Sequence, residues 1–177
     1  MLSSLGLLLA CTSATDDTGV PRQVLAGPSL WSNVSEAQDP FDDRPDAVDC
    51  PSSSWAVEVD TAGEPAFELD TGQCDYATFH QVSLADVQAG GTVGLSWGHS
   101  ALTADEPASA HISLRLDTQV LWDSTVAIPA DADQTGYEQV LSTPVPAGAD
   151  LWAHLHNHGD NTWNLGEIWT RPAGGSP

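Results

Sequence analysis

The sequence predicts an all-β protein, an antiparallel β-sandwich or jelly roll, and three observations predict it. From Trp55 onward apolar and polar residues alternate in segments of four to nine residues. Gly, Pro, Asn and Asp turn signals separate these segments about once per dozen residues, the spacing of short sandwich strands. Helical periodicity is nearly absent: residues 83–90, SLADVQAG, offer one or two turns at most. The 177 residues suit one domain with a tail. The 41% hydrophobic content with seven Trp argues for a packed core rather than a disordered acidic chain.

The charge is strongly one-sided, with four Arg, no Lys, 25 acidic residues and a formal net charge of −21. Such a chain repels phosphates, so nucleic acid is not expected as a partner. It attracts cations and stays soluble. Without Lys there is no Schiff-base chemistry and no Walker lysine.

At the N-terminus, residues 1–10 (MLSSLGLLLA) form an apolar run ending in a small residue, as a secretory signal does. The next residues, TSATDDTGVPRQ, are small, polar and interrupted by Gly and Pro, the composition of a tether. The stretch LLAC, residues 8–11, resembles the lipobox of bacterial lipoproteins. The resemblance implies that Cys11 is acylated and becomes the mature N-terminus. It also implies export to the cell envelope and a membrane partner held through the lipid. One departure is that no Lys or Arg precedes the apolar run. Two or more acyl chains, at about 0.8 kcal/mol per buried CH₂, would hold stably where one would not. No other stretch approaches the roughly 18 apolar residues of a membrane helix. The expected division is a signal peptide at 1–10, an acylated Cys and flexible tether at 11–30, the β-sandwich at 31–172 and a disordered tail at 173–177.

Export places Cys50 and Cys74 in an oxidising compartment, so they are expected to form a disulfide. Two buried free thiols are the alternative, and no CxxC supports a zinc site. The segment before and around Cys50, residues 38–54, carries three Pro and five Asp and reads as loop. It could hold a cation, but it lacks the spacing of a calcium-binding helix–loop–helix motif.

The strand candidates follow in order: WAVEVD, AFELD, YATFHQVSL, TVGLSW, HISLRLD, QVLWD, STVAI, EQVLS, LWAHLHN and WNLGEIW. In WAVEVD, Trp55, Val57 and Val59 share one face. In HISLRLD, Ile112, Leu114 and Leu116 point inward while His111, Ser113 and Arg115 point outward. Trp55, Trp97 and Trp122 are expected in the core. An internal echo assigns the faces of the histidine strand: VQAGGTVGLSW, residues 87–97, resembles VPAGADLWAHL, residues 145–155. In both, an Ala-Gly pair supplies a turn and a strand follows. Val93, Leu95 and Trp97 form the apolar face of the first copy. By offset, Leu151, Ala153 and Leu155 point to the core, and Trp152, His154, His156 and His158 share the opposite face.

That strand, LWAHLHNHGDNTWN, carries the candidate chemistry. Same-face residues step about 6.6–6.8 Å, so two successive histidines can converge on one ion. The metal candidates are His154, His156, His158 and Asp160, and a His-x-His pair suits copper or zinc. The nine residues HLHNHGDNT are similar to the first signature of copper–zinc superoxide dismutases. That resemblance implies copper ligands at His154 and His156. The family's further loop ligands have no counterpart here, because residues after Thr162 include neither His nor Cys. The stretch also resembles the first cupin motif, through Gly148, His154, His156, Asp160 and Gly166. Asp160 stands where that family carries Glu, and the second cupin motif is absent. The competing reading is a glycan- or protein-binding face made of Trp152, His154, His156, His158 and Trp163, with Trp169 as a further stacking ring. Gly94 and Ser96 could leave room for such a ligand. On that reading no cofactor is needed.

No Gly-x-Ser-x-Gly elbow marks a nucleophile, and paired carboxylates carry no information in so acidic a chain. His80 and His99 sit near strand ends as remote ligands or plain polar residues. The sequence thus predicts a non-enzymatic envelope lipoprotein presenting a binding or structural domain, with copper or zinc binding on the His154/His156 strand as the alternative.

Overall fold

The computed structural model describes residues 21–60 and 63–174. The signal segment, Cys11 and the first part of the tether lie outside the described residues, as do residues 175–177. Among the described residues twelve strands build two facing sheets, and every pairing is antiparallel. They are β1 (Gln23–Ala26), β2 (Ser32–Asn33), β3 (Trp55–Val59), β4 (Pro65–Asp70), β5 (Tyr76–Val82) and β6 (Thr92–His99). The rest are β7 (Ala108–Leu116), β8 (Gln119–Ile128), β9 (Asp133–Val140), β10 (Asp150–Asn157), β11 (Thr162–Leu165) and β12 (Ile168–Arg171). The chain is therefore the antiparallel β-sandwich that its alternation predicts.

The larger sheet is organised around β6. Along one side runs β9, from Thr92↔Val140 to His99↔Asp133. The other side is shared: β12 pairs Thr92–Gly94, and β11 pairs Trp97–His99. Beyond β12 lies β1, and beyond β11 lie β4 and β3. The smaller sheet has the order β2-β5-β10-β7-β8. Leu95, Trp97, Phe67, Leu69 and Trp163 of one sheet meet Phe79, Leu151, Leu155, Ile112 and Leu114 of the other, all buried. Each such side chain, removed from water, contributes about 1.5–3 kcal/mol.

The internal echo has a structural basis. Val87 and Val145 form a two-way backbone bridge, with both N–H···O distances at 2.8 Å. One copy leads into β6 and the other into β10. Each uses its glycine, Gly90 or Gly148, with φ above +80° to turn into the strand.

Three expectations about element bounds need correction. The sandwich begins at Gln23, not at residue 31, because Leu25 and Ala26 of β1 are buried beside β12. QVLWD and STVAI are one ten-residue strand, β8. Asp123 and Ser124, where those two candidates meet, lie within β8 at the edge of the smaller sheet, opposite Ser113 and Ile112. WNLGEIW is two strands, β11 and β12, interrupted where the Gly166 N–H donates to the Ser96 carbonyl at 2.9 Å.

Candidate metal centre

The histidine strand β10 is the central strand of the smaller sheet, between β5 and β7. Leu151, Ala153 and Leu155 face the core as the echo requires. Register on the outer face sets three rows. His80, Trp152 and Arg115 lie side by side, as do Thr78, His154 and Ser113, and then Tyr76, His156 and His111. His156 and His111 are thus direct cross-strand neighbours, and His154 is the diagonal neighbour of His111.

Over these rows lies a strap, residues 34–49, linking β2 to Cys50. Asp39 anchors it, and its side chain is 1% exposed. Its Oδ1 accepts from the Phe41 backbone N–H at 3.1 Å and the Thr78 hydroxyl at 3.1 Å. Its Oδ2 accepts from the Tyr76 hydroxyl at 2.9 Å and the Arg44 guanidinium at 2.9 Å. Four donors hold this buried carboxylate, so its desolvation is offset. The Cys50–Cys74 disulfide ties the far end of the strap beside β5. So fixed, the strap stacks Phe41 on His154 and turns Asp43 inward.

Asp43 Oδ2 lies 3.0 Å from His111 Nδ1, 3.2 Å from His154 Nε2 and 3.2 Å from His156 Nδ1. Ligand atoms of Asp43, His111 and His154 all fall within 4.8 Å of one another. In a tetrahedral site with metal–nitrogen bonds of about 2.0–2.1 Å, neighbouring ligand atoms are separated by roughly 3.3 Å. The carboxylate-to-imidazole spacing here is close to that edge.

The hydrogen-bond directions strengthen the case. The Thr78 hydroxyl spends its single proton on Asp39, so toward His154 it can only accept. With its proton on Nδ1, His154 donates to Thr78 and keeps its Nε2 lone pair free for an ion. Burial lowers the His154 pKa from 6.5 to about 4, which keeps the ring neutral at ordinary pH. His111 also bonds Asp123 Oδ2 through Nε2 at 3.2 Å. Burial opposes its protonation, but the bonds to Asp43 and Asp123 prevail and raise its pKa. Burial likewise pushes the Asp43 carboxyl up, and the three histidines outweigh it, bringing it down to about 2. Asp123 lies behind His111, and Thr78 with Asp39 behind His154, the kind of outer partners that would orient imidazoles on a metal.

The structure brings together His154 and His156 of the expected set and separates the rest. His154 is 1% exposed rather than on a wet face, because the strap covers it. His158 is exposed, with its ring 4.6 Å from that of His156. Asp160 is exposed and bridges by its backbone to Thr103, outside the cluster. Trp152 stays half-buried on the outer face against His80, at 4.4 Å. Trp163 belongs to the other sheet and is buried between the layers beside Trp97, so it cannot join Trp152 in one binding face. Trp169 fills the space above Gly94 that was expected to be open to a ligand. His111 and Asp43 are the additions. The first carried the signal of an outward-facing strand position, and the second lay in the Asp-rich loop.

No protein-family model matches the chain, and no curated protein matches it in sequence. Solved structures resemble it in outline. TmCBM61 in complex with β-1,4-galactotriose is similar over 81% of this chain and 89% of its own, with 10% identity and a TM-score of 0.44. The xylan-binding module CBM15 is similar over 89% of this chain and 100% of its own, at 11% identity and a TM-score of 0.44. The K1 cleaved adhesin domain of Lys-gingipain from Porphyromonas gingivalis W83 is similar over 85% of this chain and 96% of its own, at 12% identity and a TM-score of 0.45.

Proposed function

We propose that this chain is a non-enzymatic binding domain of the cell envelope, anchored through Cys11, and that its ligand is a copper(II) or zinc ion. The observation that carries the metal is the convergence of three imidazole nitrogens on one oxygen of Asp43. Asp43, His111 and His154 would hold the ion, with His156 beside Asp43 as a further donor. Imidazole and carboxylate suit the divalent state of copper, or zinc. Cys50 and Cys74 are joined to each other, so the site has no thiolate for copper(I). Of the two divalent ions, copper(II) forms the stronger complexes with such donors. The anchor rests on the resemblance of LLAC to a lipobox.

The test is calorimetric titration of the full chain with Cu²⁺ and with Zn²⁺, beside His154→Ala and Asp43→Asn. Submicromolar binding of one ion per chain, weakened at least tenfold in both variants, is expected. Weak binding that neither variant changes would mean ordinary attraction to an acidic surface and would sink the proposal.

A further inference from the structure

The cluster is closed on one side and open on the other. The His154 side chain is fully buried, whereas those of His156, His111 and Asp43 are 18%, 31% and 30% exposed. Solvent therefore reaches the side chains that could hold an ion from one side. On the open side stands His158, the next outward-facing residue after His156. Its backbone N–H donates to the Ser109 carbonyl at 3.2 Å, which ties this end of β10 to β7. Its centroid is 4.6 Å from that of His156. Beyond it opens a groove of about 360 Å³, bounded by Asp105, Glu106, His158 and Asp160. The two-way backbone bridge between Thr103 and Asp160 fixes one wall of this groove.

We infer that the cluster is a transfer site, loaded and unloaded through His158, and this rests on the metal-binding reading above. A hydrated divalent ion is drawn into the groove by its three carboxylates. His158 binds it first. His156 takes it next, and it then seats against His154, His111 and Asp43. At each step one imidazole or water replaces another on the ion, with no change of oxidation state. The same path run backwards delivers the ion to an external acceptor. An ion bound for structure alone would have no use for an exposed fourth imidazole beside His156.

The experiment is stopped-flow mixing of the full chain with Cu²⁺, read by tryptophan fluorescence, and the reverse transfer to excess chelator. It compares the natural chain with His158→Ala and with the double variant Asp105→Asn, Glu106→Gln. His158→Ala is expected to slow loading and unloading together, each about tenfold, with Kd unchanged within threefold. The double variant should slow loading and flatten its dependence on salt. Unchanged rates in His158→Ala, with tight binding intact, overturn the route alone. A Kd weakened through faster unloading also overturns it, because His158 would then be an ordinary ligand. Failure of the natural chain to bind at all overturns the metal-binding reading first.

Discussion

His154 lies face to face with Phe41, their ring centroids 4.1 Å apart and their planes 15° from parallel. On its other side Arg115 lies over Phe41 at 4.0 Å, so the strap's one phenylalanine is held between a cation and an imidazole. This stack keeps water from His154. Phe41→Ala should therefore raise the His154 pKa from about 4 toward 6.5 in metal-free protein, as read by NMR titration of the ring protons. It should also cost about 2 kcal/mol of stability, less than a fully internal Phe→Ala.

Thr78 is the only contact of His154 Nδ1 among the described residues. Thr78→Val keeps the shape and removes the acceptor. Metal affinity should fall by about 10–100-fold, the usual effect of losing such a partner. Two buried polar groups lose a bond, so stability should drop by roughly 1–3 kcal/mol. Competition titration against a chelator of known affinity, with urea unfolding alongside, checks both figures. Undiminished affinity would show that Thr78 does not orient the ring.

Acid should weaken the metal-free fold in a defined window. The folded His154 value, about 4, lies below its ordinary 6.5, so the folded state favours the neutral ring. That contribution is complete above pH 6.5 and is lost as pH falls toward 4. At its fullest it is roughly 3 kcal/mol. Asp43, brought down to about 2 from 3.8, adds its own loss only at lower pH. His111, with a raised value, has the opposite sign, and its contribution is lost as pH rises past 6.5. Urea midpoints at pH 7 and pH 4 should therefore differ, and by less in His154→Gln. An equal slope in the variant would assign the acid sensitivity elsewhere.

The disulfide has two consequences that a double Cys50→Ser, Cys74→Ser variant separates. It closes a loop spanning 24 positions, which contributes about 3 kcal/mol in the chain-entropy model. It also tethers the strap that carries Asp43. Thermal unfolding should show the first effect and metal titration the second, as weaker binding under conditions where the variant is still folded.

Gly94 tests the packing of the larger sheet. A Cβ there would overlap the Trp169 ring, which is 9% exposed. Gly94→Ala must displace the indole, and a loss of about 1–3 kcal/mol is expected from urea unfolding.

The fold was readable because alternation is a local property. Leu151, Ala153 and Leu155 declare the inner face of β10 without help from distant residues, and the echo with residues 87–97 confirms it by a shared turn. The site was readable only in part, for a reason that is equally physical. His154 and His156 are two apart on one strand, and their spacing is visible in the sequence. His111 lies on another strand, and only the register of β7 against β10 makes it the neighbour of His156. Asp43 lies 111 residues from His154 in a loop whose path depends on the buried Asp39 anchor. Proximity of that kind leaves no periodic trace. The same blindness produced the pairing of Trp152 with Trp163, which alternation alone cannot assign to different sheets.

The place of β10 has one more consequence. It enters its sheet between two strands that precede it in the chain, so β5 and β7 each wait with an unpaired edge until residues 150–157 arrive. A chain arrested before that moment offers an ion one imidazole and one carboxylate. The completed chain offers three imidazoles and the same carboxylate. The last strand of that layer therefore works as a clasp: the step that shuts the sheet also brings His154 and His156 to Asp43 and His111.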